Sequence, residues 1–543
     1  MGAFFTRFIQ EHFDPLGRLE RYRYTYAGNF NYGYDVVDQL GALYPDRPAM
    51  VWRNDRGASR TLTFGEVARL STQAAMLFQR RGLRKGDVLL CALRSHWEFW
   101  VAAVAAHKLG LVLSPVYYRL TEEDFYYRLH KAKAKAVLCC RDGGCDQTLL
   151  AAAERAGVPL RFALGAGEGF EDFHAALQGQ PETMERVETQ AEEPILLYFT
   201  SGTTGEPKGV LHDHAYLLAN HCGAAYMQDT HDGSRHFATG DSGWEVVAGT
   251  KFYCQWLHLG TLLVYDYDRF PAEQVLEFLQ EARATGVMAQ PTVYRMLTDV
   301  GMDRYDLSSV TCFAVGGEKL PPDLAEIVEG QTGQPLYEGY AQSEAGLIAA
   351  NSKNMGRKKG SVGKILPKYH VELLKDDGSF AAPGEEGEIV LLAQDGKRPV
   401  GLTMGYLDDP EGTQAIWDGK LFHTGDLAVK DEDGFLFYRG RSDGMIKSKG
   451  YRVSPVELEG ILCQHPAVAE CLVEGIPDRE LGEKIVASVK VARGHLPTAE
   501  LAEELMAFHN SQCAGFKKIR GISFVNALAR NANGKLVRKR KEQ

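Results

Sequence analysis

Through residues 34–317, short apolar runs keep alternating with longer segments whose apolar residues fall three and four apart. In "TLTFGEVARLSTQAAMLFQRRGLRKGD" (61–87) that helical spacing stops at Gly82, and "VLLCALR" (88–94) follows, too short for a helix and apolar almost throughout. The unit recurs in "EFWVAAVAAHKLGLVLSPV" (98–116), in "EQVLEFLQEARATGVMAQP" (273–291) and in "VTCFAVGG" (310–317). Strands apolar on both faces and separated by helices imply parallel sheets covered by helices, an α/β class. A chain of 543 residues also exceeds what one core serves, so two or more domains are expected. From about residue 360 the texture changes. "HVELLKDDGSFAAPGEEGEIVLLA" (370–393) and "LAVKDEDGFLFYRGR" (427–441) are short strands joined by Asp-Gly and Pro-Gly turns, a β-rich barrel or subdomain. After Arg441 a third pattern begins. Ser454-Pro455-Val456-Glu457 reads as a capping box with proline at the first helical position, opening a helix that ends near His465-Pro466. Strands "AVAECLVEGI" and "EKIVASVKVA" and a helix from about Ala499 to Ser511 complete a small α+β domain, its boundary in "GRSDGMIKSKGYRV".

A net charge of −10 argues against a general nucleic-acid binder but says little about a small anionic ligand, which feels local groups. The ten cysteines are scattered; "CCRDGGC" (Cys139, Cys140, Cys145) lacks the spacing of a zinc site and reads as reduced core thiols ending a buried strand. No stretch approaches 18 uninterrupted apolar residues, so no membrane span is expected, and the start, with aromatic and charged residues in alternation, does not read as a secretion signal. "MGAFFT" fits only the loose myristoylation pattern. A cytoplasmic enzyme is the expectation, and nothing in the sequence fixes an oligomeric state.

Residues 198–214 read "YFTSGTTGEPKGVLHDH". An apolar strand, 195–199, runs into Thr200, Ser201, Gly202, Thr203, Thr204 and Gly205, closed by Pro207 and Lys208. A Walker A loop needs Ser or Thr directly after its lysine; Gly209 follows Lys208, so that loop type is excluded. Glycines still let backbone N–H groups turn inward and hydroxyls add donors, which suits a phosphate. A polar surface turn has the same composition. His212 and His214 follow and read as structural.

Four further stretches supply groups that adenylate chemistry uses. "YEGYAQSEAG" (337–346) sets the Glu344 carboxylate beside the Ser343 hydroxyl and the Gln342 amide. "TGD" (424–426) offers Asp426 for ribose hydroxyls. "GRSDGMIKSKGYRV" (440–453) carries Arg441 and Arg452, either able to pair with ribose or phosphate. "NANGKLVRK" (531–539) presents Lys535 just after an Asn-Gly turn. Taken singly, these also read as a solvated acid, a hairpin turn, a basic surface and a tail.

In this order and spacing the five stretches resemble the adenylate-forming superfamily of acyl-CoA synthetases, luciferases and peptide-synthetase adenylation domains, over nearly the whole chain. "NFNYGYDVVDQL" (29–40) and "GDSGW" (240–244) look most like the acetyl-to-medium-chain acyl-CoA synthetases. The resemblance implies an α/β fold with a large N-terminal domain, residues 1–441, of two α/β subdomains and a β-barrel. A small mobile α+β C-terminal domain, residues 442–543, would follow. By the same resemblance Thr200 to Lys208 would cover the β- and γ-phosphates of ATP, and Glu344 would bind magnesium, with Ser343 where many members have threonine. Gly316, Gly317, Glu318 and Lys319 would contact adenine, with Tyr340 and Gln342 also in the nucleotide site, while Asp426 and Arg441 would clamp the ribose. Asp443 falls at the hinge, although Gly444 replaces the second aspartate usual there. Gly450, Tyr451 and Arg452 lie in the loop that serves CoA, and Lys535 matches the lysine required for adenylation. Trp244, Gly339 and Ala341 would shape the acyl pocket. Acetate-activating members have tryptophan at the position of Ala341, so a longer, branched or aromatic acid is expected here.

The implied reaction is attack of a carboxylate on the α-phosphorus of ATP, giving acyl-AMP and pyrophosphate, then displacement of AMP by the CoA thiol. Cations must offset the meeting of two anions, a task for Mg2+ on Glu344 and for the ammonium of Lys535. Two alternatives stay open on the same motifs: an adenylation enzyme loading a carrier protein, and a catalytically silent nucleotide-binding protein. Amino-acid-activating members usually hold the substrate ammonium with an aspartate near the "GD" stretch, where this chain has Glu245.

Overall fold

A computed structural model of the chain describes residues 3–13, 15, 19–200, 206–318, 320–448, 451–478, 481–513, 515–530 and 536. The α/β alternation appears where the sequence places it. Helix Phe64–Arg80 starts on a full capping box between Thr63 and Glu66, and strand Val88–Ala92 follows. Helix Glu98–Leu109 is buried all round and leads into strand Val112–Pro115. Burial of both faces explains why the strands read as unbroken apolar runs.

Two large sheets result. The first has eight strands, with Val88–Ala92 paired in parallel to Val112–Pro115 on one side and to Ala136–Cys139 on the other. Its other side continues through Pro194–Thr200 to the antiparallel strand Lys208–Asp213 and the short strand Gly405–Tyr406. The second sheet has thirteen strands in one hydrogen-bonded path. One part is parallel, including Thr261–Asp266, Arg235–Ala238, Gly286–Ala289 and Cys312–Val315. The other is the antiparallel β-rich part, including Glu386–Leu392, Leu421–Lys430 and Phe435–Arg441. Strand Leu336–Gln342 joins the two. Its first half pairs in parallel with Cys312–Val315, and its second half, from Gly339, pairs antiparallel with Gly346–Ala350. The β-rich segment thus extends the ladder of the second sheet.

The small C-terminal domain has its own sheet, including Ile446–Ser448, Val468–Asp478 and Gly482–Val491, and its own core around Ile446, Leu458, Val473, Val489 and Leu505. Helix Pro455–Leu462 is capped by Ser454, whose hydroxyl accepts from the Glu457 N–H. The box expected there is half made. The Glu457 carboxylate accepts instead from Lys517 Nζ at 2.7 Å. The alternation of aromatic and charged residues near the start forms a two-stranded hairpin, Ile9–Phe13 with Leu19–Tyr24. No described helix is long and apolar enough to cross a membrane.

Candidate functional site

Strand Lys208–Asp213 and the turn after strand Leu336–Gln342 meet on one side chain that sequence reasoning missed, Tyr406. Its hydroxyl donates to Oε1 of Glu344 at 2.9 Å, and the Lys208 ammonium lies 4.6 Å from its ring centroid. Backbone bonds fix the arrangement. Thr403 N–H donates to the Glu344 carbonyl at 2.6 Å, Met404 N–H to Leu211 and Leu407 N–H to Gly209. Burial and then the Glu344 charge hold the tyrosine hydroxyl far above its ordinary pKa, so it stays a donor. His212 Nε2 lies 2.7 Å from the carbonyl of Ser343, and burial drives its pKa down to about 3. A neutral ring must then donate, so His212 anchors the turn that carries Glu344. His214 is likewise pushed down, to about 4, by burial.

Asp426, Arg441, Tyr340 and Gln342 form a second group. Asp426 is buried; its Oδ2 accepts from Tyr340 Oη at 2.6 Å and from the Gln342 amide, and its Oδ1 from Tyr438 Oη at 3.1 Å. Asp426 and Arg441 are cross-strand partners. The Arg441 guanidinium donates to the Thr424 carbonyl at 2.9 Å and to Asp443 at 3.2 Å. The expected ribose clamp and hinge residue are thus in one hydrogen-bonded chain.

Gly316, Gly317, Gly339 and Trp244 also converge. Gly317 and Gly240 both have left-handed backbone, φ +86° and +114°, and a Cβ on either would lie 2.9 Å from the Trp244 indole. Only glycine lets the ring sit between them. A Cβ on Gly316 would lie 3.6 Å from the Gly339 carbonyl, and one on Gly339 2.8 Å from both Met227 and Leu347. Ala341 is exposed on the same strand, beyond a ladder irregularity between Tyr340 and Ala341. Glu318 accepts from Thr292 Oγ1 at 3.0 Å and pairs at 3.5 Å with Arg530, from near the chain's end.

Ser201, Gly202, Thr203, Thr204, Gly205, Lys319, Gly450 and Lys535 lie outside the described residues. Tyr451 and Arg452 are in strand Tyr451–Val453, their side chains outside what is described. Thr200 ends strand Pro194–Thr200, paired with Lys208 across the base of the loop.

Two further clusters carry buried charge. Behind Glu344, the buried Glu245 accepts from Tyr216, and burial raises its pKa to about 7. Lys368, buried beside it, donates to the Ala345 carbonyl at 3.1 Å. Away from these groups, a cavity of about 390 Å³ opens where strands of both sheets end, lined by Arg56, Arg94, Arg119, Asp55 and Asp142 among others. His96, Cys140 and Asp142 place one ligand atom each within 4.8 Å of one another at its edge. His96 Nε2 already pairs with Asp142 at 3.1 Å, and Arg56 reaches the same carboxylate at 2.7 Å, so two cations occupy the group's only acid. None of the ten cysteines is in a disulfide.

The AMP-binding enzyme family matches residues 37–407, and the AMP-binding enzyme C-terminal domain matches residues 457–535. "Acyl-coenzyme A synthetase ACSM4, mitochondrial" of Rattus norvegicus is 34% identical over 538 residues, covering 97% of this chain and 92% of that protein. "Acyl-coenzyme A synthetase ACSM5, mitochondrial" of Homo sapiens is 34% identical over 521 residues, covering 94% of this chain and 89% of that protein. Among solved structures, the anthranilate CoA ligase AuaEII in complex with anthranoyl-AMP superimposes with a TM-score of 0.83 at 25% identity, covering 94% of this chain and 96% of that one.

Proposed function

Because the chain belongs to the family of AMP-binding enzymes, matched in both its large and its C-terminal parts, we propose that the groups gathered around Tyr406 and Asp426 form its acid-activating site. The chain is an AMP-forming acid–CoA ligase. It converts a carboxylic acid with ATP to acyl-AMP and pyrophosphate, then passes the acyl group to the CoA thiol with release of AMP. The observation that carries the site assignment is the meeting of Lys208 and Glu344 on one tyrosine, which brings a cation and a carboxylate together beside the strand that leads into the glycine-threonine loop.

A carboxylate attacking a triphosphate brings two anions together, so positive charge must be in place before reaction. Lys208 supplies one such charge at the base of the loop; Lys535 supplies another from the C-terminal domain. Glu344 fits a magnesium ligand. It offers hard carboxylate oxygens, and among the described residues Tyr406 bonds only Oε1. When bound, Mg2+ neutralises phosphate charge and stabilises departing pyrophosphate. Asp426, accepting from Tyr340, Gln342 and Tyr438, is held as a fixed acceptor for ribose hydroxyls, with Arg441 beside it. Gly316 to Lys319 line the adenine, and Gly450 to Arg452 serve CoA. The domain boundary falls between Arg441, which ends the last strand of the large part, and Ile446, where the C-terminal core begins, with Asp443 as pivot.

The acid is medium-chain, branched or aromatic. Exposed Ala341 offers no bulk to close the pocket, and Trp244 is drawn back between two glycines. We read the compartment as the cytoplasm, as expected from the sequence; the relatives quoted above are named as mitochondrial.

Acids from acetate to decanoate and a set of benzoates, assayed by AMP formation with CoA, test the reading. Turnover on a medium-chain, branched or aryl acid is expected. Glu344→Gln should lower magnesium-dependent turnover by about a hundredfold, the size of a lost electrostatic stabiliser. Pyrophosphate release with no acid in the set would overturn the ligase assignment, and preference for a carrier-protein thiol over CoA would favour the loading enzyme.

A further inference from the structure

We infer that Tyr406 is a positioning residue that sets the metal-binding carboxylate and the phosphate-binding ammonium from its two different parts, the hydroxyl for Glu344 and the ring face for Lys208. The inference rests on the roles proposed above for those two residues. Tyr406 lies on the two-residue strand Gly405–Tyr406, bonded through Val210 and Leu211 to the strand that begins at Lys208. Its own placement is over-determined. Tyr406 N–H donates to Thr413 Oγ1 at 2.9 Å, and helix Pro410–Ile416 is capped by Asp409 just beyond. Thr403 bonds both neighbours: its N–H donates to the Glu344 carbonyl at 2.6 Å, and its hydroxyl to the Leu211 carbonyl at 2.8 Å. Residues 403–407 are thus a strut between the phosphate-loop strand and the Glu344 turn, and Tyr406 is the side chain that reaches both functional groups.

The two contacts differ in kind. A hydroxyl donating to Oε1 fixes which way the carboxylate turns and leaves Oε2 for a cation. A ring face under an ammonium holds Lys208 near the loop without neutralising it, whereas a carboxylate partner would cancel the charge the phosphates need. Substitutions therefore separate the functions. Tyr406→Phe deletes only the hydroxyl; Tyr406→Leu deletes the ring as well.

The test reads metal and nucleotide binding directly. Mn2+ serves as the probe, titrated by electron paramagnetic resonance against enzyme saturated with a non-hydrolysable ATP analogue, and the analogue alone is titrated without metal. Tyr406→Phe should weaken Mn2+ binding about tenfold, as expected for a hydrogen bond to a charged group, with metal-free analogue affinity unchanged. Tyr406→Leu should lose the same metal affinity and also weaken the metal-free analogue about fivefold, the scale of a lost cation–π contact. Both variants should convert supplied acyl-adenylate and CoA to thioester at the wild-type rate, since that half-reaction uses neither triphosphate nor its metal. Wild-type Mn2+ binding by Tyr406→Phe, alongside its loss in Glu344→Gln, would overturn the role of Tyr406 and leave Glu344 in place. Wild-type Mn2+ binding by Glu344→Gln would overturn the underlying reading. An equal fall in the thioester half-reaction would show that Tyr406 only supports the fold.

Discussion

Glu245 shows how a single buried acid next to the proposed acid-activating site couples folding to pH. Burial is the largest influence on it and raises its pKa to about 7, against the opposing pull of the Tyr216 hydroxyl and the Lys368 ammonium. The folded chain therefore keeps a proton that the unfolded chain gives up near the usual value of 4.5. The stability this contributes is complete below the unfolded value and is lost as pH rises through about 7. Lys368, pushed down to about 8 by the same burial, changes stability only between there and its usual 10.5, so the two groups separate along the pH axis. Glu245→Gln keeps an acceptor for Tyr216 and removes the ionisation. Calorimetric melts should show the variant more stable than wild type at pH 8, with the gap closing toward pH 5. A deficit of equal size at both values would mean that Lys368 holds Glu245 charged. At this scale the motif residues could be singled out as candidates because each brings a distinct chemical group. Tyr406 could not, because a tyrosine after a glycine has no spacing to a partner; its contact with Lys208 exists only once two strands distant in sequence pair, and its contact with Glu344 only once two sheets are packed.

Among elements, local signals carried furthest where the stabilising contacts are local. The strand read at 88–94 is observed as Val88–Ala92, and the helix from Ala499 to Ser511 stands where periodicity put it, because a helix face or a short apolar run is defined by its own residues. Strand Leu336–Gln342 could not be read in this way. Its change from parallel to antiparallel pairing depends on neighbours that the sequence does not place beside it. Helix Pro455–Leu462 lies between these cases. Ser454 caps it as expected, but the same hydroxyl also donates to the carbonyl of Arg439 in strand Phe435–Arg441, on the large part of the chain. Ser454→Ala should therefore cost about 1 kcal/mol, as for a lost N-cap, with faster amide exchange in the first turn of that helix. Exchange should also rise around Arg439. Glu457→Gln should leave the cap intact, since its carboxylate is engaged with Lys517, and exchange rates in the first turn equal to those of Ser454→Ala would contradict that division.

For the molecule as a whole, the decisive relation is between the C-terminal domain and the nucleotide groups, and Arg530 reports on it. One guanidinium nitrogen lies 2.9 Å from Glu470 in the C-terminal sheet, and another 3.5 Å from Glu318 in the proposed adenine segment. Leu536 bridges back to Arg530, so the chain on both sides of 531–535 is held at this junction. That arrangement suits adenylation, in which Lys535 is proposed to act on the triphosphate. CoA attack on the adenylate requires a different opening, so the small domain should leave this position between half-reactions. Arg530→Glu sets a carboxylate against Glu318 across the junction, which should disfavour the docked arrangement, and against Glu470 within the C-terminal domain itself. Exposed ion pairs are worth under about 1 kcal/mol, but charge reversal both removes the attraction and adds repulsion, so a fall of about tenfold in adenylate formation is expected. Conversion of supplied acyl-adenylate and CoA should continue near the wild-type rate. Lys535→Ala is the comparison, expected to abolish the first half-reaction and spare the second if the proposed role of that lysine holds. Arg530→Glu should move in the same direction by a smaller amount, and its deficit should shrink in 0.5 M salt as the repulsion is screened. An equal loss in both half-reactions would mean that this junction is kept throughout the cycle, and the small domain would then have to serve both steps from one position.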